Sequence, residues 1–270
     1  MKCKSNSLFH SSMLGRTSLA VAVALAALSP ARVRPEESPA AKAAFNAYVQ
    51  GVEARLKQEH ASAGSILAPV DTARLRGGDF ILEDLTPANK KLDGALLHDW
   101  RGTAFVPGAK PADFDRVMKD FAAFPKYFAP QILQTRVLSH DGDHYVLTMR
   151  VRQKHIITAV LDMDYDTTFA RADDGGYSIS RSTRVVEIDS PGTPQERPLP
   201  PDKDHGFLWQ INNYWTYEER DGGLYIQVES VSLSHSIPAG VGWAIGPFIK
   251  SVPRESLEFT LRAASQAMRP

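Results

Sequence analysis

Two apolar periods run along this chain, and the change from one to the other marks its organisation. Over residues 39–60, Phe45, Tyr48, Val49, Val52 and Leu56 recur at spacings of three, one, three and four, the stripe of an amphipathic helix. Alanine-rich composition and the absence of proline after Pro39 support that helix. The pattern weakens over 61–94, where a short strand is expected at 81–83 and a polar turn at 87–93. Residues 98–106 (HDWRGTAFV) read as a strand stopped by Pro107-Gly108. Pro111 suits a first helical position, and Phe114, Val117, Met118 and Phe121 give the stripe of a helix behind it. Pro125 opens a second short helix carrying Phe124, Tyr127 and Phe128.

Beyond this point the period becomes two. Strands are expected at 134–138, 144–154, 157–170, 177–188, 207–219 and 224–236, separated by turn signals at Asp141-Gly142-Asp143, Asp173-Asp174-Gly175-Gly176 and Arg220-Asp221-Gly222-Gly223. A segment at 190–206 holds Pro191, Pro194, Pro198, Pro200 and Pro201 and is excluded from any central strand. Pro253 is expected to open a final helix with Leu257, Leu261, Ala264 and Met268 on one face.

The order is therefore strand, two helices, antiparallel meander, long helix. With the stretch 120–142, DFAAFPKYFAPQILQTRVLSHDG, and its aromatic-Pro-x-aromatic segment before a strand, it resembles the START-like (SRPBCC) superfamily of polyketide cyclases and coenzyme Q-binding proteins. The resemblance implies an α+β helix-grip fold: a curved antiparallel sheet around a long C-terminal helix, with a cavity for an apolar small molecule. The secretory front and the 190–206 insertion depart from the pattern.

Residues 1–31 read as a cleaved signal peptide. Lys2, Lys4 and Arg16 form a basic front, an apolar run spans 19–28, and Ser29-Pro30-Ala31 ends it with small residues. A run of about 10–12 apolar residues is too short to span a bilayer, which needs roughly 20. The expected organisation is signal peptide 1–31, N-terminal helical extension 32–95 and START-like domain 96–270, in a periplasmic or secreted protein. Without the signal, 28 Lys and Arg face 31 Asp and Glu and no cysteine is left. That balance argues against nucleic acid as a partner, and a thiolate metal site is impossible. No metal, cofactor or transmembrane segment is expected; transient membrane contact stays open.

Strand alternation sorts the candidate site residues. Tyr145 and Met149 share an apolar face, as does Met163 on the next strand, whereas Arg150, Arg152, Asp162, Asp164 and Asp166 suit a salt-bridged solvent face. On 177–188, Arg181, Thr183 and Glu187 share a face with Tyr177, Ile179 and Val185. Charges turned to a cavity need partners, and Glu229 is a candidate for Arg181. Residues 207–217 are rich in aromatics, and Trp209, Asn213 and Trp215 fall on one face, suited to gripping an apolar body and orienting one polar group. Trp100 on the opening strand is read the same way. His98-Asp99 is an adjacent acid–base pair, but strand neighbours point to opposite faces. Phosphate-loop, HExxH and GxSxG motifs are absent. Three readings stay open: a carrier of a lipid, quinone or polycyclic compound; a cyclase, dehydratase or hydrolase using the same cavity; and a scaffold that binds a partner protein through its front helix.

Overall fold

A computed structural model describes residues 37–62, 64–88, 92, 94–154, 158–236 and 242–269, and of 242–250 the backbone only. The expected signal peptide lies outside the described residues. Helix α1 (Pro39–His60) starts where the Ser38 hydroxyl accepts a hydrogen bond from the backbone N–H of Ala41, capping its first turn. A short α2 (Thr72–Arg76) is capped likewise by Asp71. Strands β1 (Ile81–Asp84) and β2 (Ala95–Pro107) follow, then α3 (Pro111–Met118) and α4 (Phe124–Tyr127). The meander comprises β3 (Ile132–Asp141), β4 (His144–Lys154), β5 (Thr158–Ala172), β6 (Gly175–Asp189), the two-residue β7 (Arg197–Pro198), β8 (Gln210–Arg220) and β9 (Gly223–His235), before α5 (Gly242–Met268) closes the chain.

All strand pairings are antiparallel, in the order β1-β2-β9-β8-β6-β5-β4-β3, with β7 beside β6. This curved sheet of nine strands, with α1 preceding it and α5 following it in sequence, is the helix-grip fold of START-like proteins. The sheet begins at Ile81, earlier than residue 96, because β1 pairs with β2 over Ile81–Asp84 and extends the edge.

One helix lies on each face. On the inner face Leu257, Leu261, Ala264 and Met268 of α5 are buried. Gly102 of β2 lets the helix approach: a Cβ there would lie 3.2 Å from the Leu261 side chain. The helix starts at Gly242, so Pro253 sits within it instead of opening it. Proline in a helix interior forfeits one hydrogen bond but does not always end the helix. On the outer face Phe45, Val49, Val52 and Leu56 of α1 are buried against Leu97, Tyr214, Val231 and Leu233. At roughly 1.5–3 kcal/mol for each fully buried apolar side chain, this contact makes α1 part of the folded unit. The apolar stripe that a scaffold would offer a partner is thus covered by the protein's own sheet.

Candidate functional site

Between the inner face of the sheet, α5 and the α3–α4 segment lies a cavity of about 580 Å3. Its apolar end is built by Phe121, Phe124 and Phe128 below and by Leu147, Met163 and Leu257 at the sides. The aromatic-Pro-x-aromatic segment places those rings: Phe124 sits 5.1 Å from Phe121 and 5.0 Å from Phe128, centroid to centroid. Phe207 is 41% exposed and also lines the chamber, which sets an opening beside it.

Of the residues expected at a site, Met149, Met163, Asn213 and Trp215 line this chamber. Trp100 and Tyr145 face inward but pack into the core beside it, Tyr145 against Phe121 and Phe169. The others lie elsewhere, for three reasons. First, β6 carries a bulge: Asp164 pairs with Arg184 and Tyr165 with Ser182, leaving Thr183 as the extra residue. One extra residue exchanges the faces of everything before it. Ser178 and Ser180 therefore line the chamber in place of Tyr177, Ile179 and Arg181, and Thr183 is exposed. Arg181 pairs with Glu53 of α1 at 2.7 Å, not with Glu229.

Second, Trp209 lies just before β8 and turns to the α1 side, edge-on to His235 at 5.6 Å, so it does not share the face of Trp215. Third, Glu187 and Glu229 are buried but already engaged. The Glu187 carboxylate accepts hydrogen bonds from the backbone N–H groups of His205 and Phe207 and faces the His205 ring nitrogen Nδ1, each at 2.9 Å. It fastens the segment beside the opening. Most of the 190–206 insertion folds back on β6 through β7, and only His205 and Gly206 of it reach the chamber.

Glu229 belongs to the outer face, where it pairs with Arg55 of α1. Diagonal to it, Asp99 is 1% exposed and accepts a hydrogen bond from the Tyr48 hydroxyl at 2.6 Å. Burial, reinforced by the neighbouring Glu229 carboxylate, pushes the Asp99 carboxyl up to about 7. Burial likewise raises the Glu229 carboxyl, with Arg55 opposing. His98, one residue from Asp99, lines the chamber on the other face, as alternation requires.

The solvent face is charged as expected, but of the expected pairs only Arg150–Asp162 forms, while Arg152 donates to the Pro130 carbonyl oxygen. Arg150 grips Asp162 with two nitrogens at 2.7 and 2.8 Å, Asp164 faces Arg184 at 3.4 Å and Asp166 faces His144 at 2.9 Å.

Apart from Asn213, a belt of small polar groups escaped sequence reasoning. Ser230, Asn213, Ser180 and Thr167 lie on adjacent strands β9, β8, β6 and β5 in direct register, and all four line the chamber. Ser232 and Ser234 continue it along β9. A signal was present on β9, where one face reads Leu224, Ile226, Val228, Ser230, Ser232, Ser234 and changes from apolar to hydroxyl halfway.

No family model and no curated protein matches the sequence. Solved structures to which it is similar include a STAR-related lipid transfer protein fragment from Xanthomonas axonopodis, 18% identical, covering 68% of this chain and 98% of that one at a TM-score of 0.40. Human STARD10 is 10% identical, with 75% and 82% covered and a TM-score of 0.41. The Zhui aromatase/cyclase from Streptomyces sp. R1128 is 13% identical, with 64% and 94% covered and a TM-score of 0.40. The fold assignment stands on the strand order and helix placement given above.

Proposed function

We propose that this protein is exported and carries an apolar or amphipathic small molecule in its inner chamber. The observation that supports this most is the chamber itself. It has about 580 Å3 of space walled by phenylalanine, leucine and methionine side chains, within the roughly 300–1,000 Å3 typical of small-ligand sites. Export rests on the basic front, short apolar run and small-residue end of residues 1–31, and makes the working location periplasmic or extracellular. Among the described residues no helix is long and apolar enough to cross a membrane.

Titration with N-phenylnaphthylamine, an uncharged probe that brightens in apolar surroundings, tests carriage. The protein is expected to bind it saturably, and Trp215→Ala to bind it more weakly through loss of a wall. Absence of binding by the native chain would remove the carrier reading. N-terminal sequencing of the exported protein tests the signal peptide, and an intact Met1 would count against it.

A second reading, an enzyme of cyclase or dehydratase type, is favoured by His98, an imidazole at the chamber wall paired in register with Ser232. An imidazole there is chemically able to move a proton to or from a bound carbonyl compound. His98→Gln keeps the size and polarity of the side chain. It separates the readings, because a carrier retains its ligand unchanged whereas an enzyme stops converting it.

A further inference from the structure

Resting on the carrier reading, we infer that the ligand is an uncharged molecule bearing several oxygen functions spread along one edge, and that anionic lipids are refused. No lysine, arginine, aspartate or glutamate lines the chamber among the described residues, and histidines alone could carry a charge there near neutral pH. Among the described residues the Arg and Lys ion pairs lie elsewhere, under α1, on the solvent face and in the loops, and only the Glu187–His205 contact borders the chamber. A carboxylate or phosphate drawn into the chamber would lose its water and meet no fixed cation among the described lining residues, a cost that hydroxyl groups alone do not offset.

The belt argues against a bare hydrocarbon as well. Ser230, Asn213, Ser180 and Thr167 stand side by side across four strands, so at about 4.8 Å per interstrand step the row spans roughly 14 Å. Thr167 donates to Ser180 at 2.9 Å. The side chains of Ser230 and Asn213 make no hydrogen bond to another described residue and are available to a ligand. Hydroxyl and amide groups both donate and accept, so the belt suits hydroxyls and carbonyls equally. Its length fits oxygens distributed over a flat or elongated body better than one compact headgroup. The phenylalanine side chains of the chamber wall take the apolar remainder.

The test is displacement of N-phenylnaphthylamine from the mature chain at pH 8, where imidazole is ordinarily neutral. Three competitors share one ring skeleton: bis(hydroxymethyl)anthracene, a dihydroxy compound whose alcohols stay uncharged at this pH, anthracene carboxylate and methylanthracene. The dihydroxy compound is expected to compete at least about 10-fold more tightly than either other, because a site built for hydrogen bonds discriminates against partners that lack them. Asn213→Leu, similar in size, should narrow the gap between the dihydroxy and methyl compounds. A melting curve establishes that this variant folds, and Ser180→Ala serves in its place if it does not. If the probe binds but the carboxylate competes as well as the dihydroxy compound, this inference fails and the carrier reading stands. If the probe does not bind, both fall.

Discussion

The two faces of the sheet are built from alternate residues of the same strands and have opposite electrostatics. Asp99 and Glu229 point outward and are sealed beneath α1, where Tyr48 and Arg55 engage them. His98 and Ser230, one position away on the same strands, point inward to a chamber that no Lys, Arg, Asp or Glu lines among the described residues. Strong polar groups were used where their partners are covalently part of the chain, and weak, versatile ones where the partner must come and go. A fixed ion pair holds a helix; a row of hydroxyls can release what it holds.

Breaking the sealed face should cost most. Arg55→Met leaves Glu229 buried beside Asp99 without its hydrogen-bonded cation, with Arg101 across the strand as its remaining positive neighbour. A loss of about 2–4 kcal/mol is expected in urea unfolding, since an orphaned buried charge is costlier than the pair is favourable. Next comes Asp99. Its folded-state carboxyl lies above the ordinary value, so the folded protein holds this proton more tightly than the unfolded chain. Its contribution to stability is therefore highest at low pH, falls as pH rises from about 4 to about 7, and is flat above. Asp99→Asn retains an acceptor for Tyr48 and should abolish that fall, gaining on the order of 1–3 kcal/mol near pH 8 and little near pH 4. Thermal melts of both proteins across this range would show it; parallel pH profiles would contradict it. Smallest is Asp164→Asn on the solvent ladder, where an exposed pair is worth at most about 0.5–1 kcal/mol.

Much of this plan was legible in the residues, and the failures share one cause. Element order, the α1 stripe and the α5 stripe depend on local periodicity, which one sequence carries. Strand faces depend on parity, which a single inserted residue reverses. The bulge at Thr183 has no glycine or proline to announce it, so alternation alone puts Arg181 on the wrong face, whereas Glu187, beyond the bulge, keeps the face of its register partner Leu161. Trp209 fails similarly, because the backbone bends before β8 begins. Glu229, expected beside Arg181 at the cavity, lies on the outer face instead, and its cation sits 174 residues away on α1, a partner that strand alternation cannot supply. The serine belt is visible on β9 alone, and its continuation through Asn213 and Ser180 requires the register between strands.

The most direct test of the two-faced account uses the neighbours Glu229 and Ser230. Ser230→Phe places a ring in the chamber, and Glu229→Gln alters only the buried pair under α1. Titrating both with N-phenylnaphthylamine, Ser230→Phe should lose at least about 10-fold in affinity, or roughly 1.4 kcal/mol. Glu229→Gln should bind within about twofold of native while its urea midpoint shifts. Equal probe affinity in the two variants, or loss of binding in Glu229→Gln alone, would contradict the assignment of the ligand to the inner face.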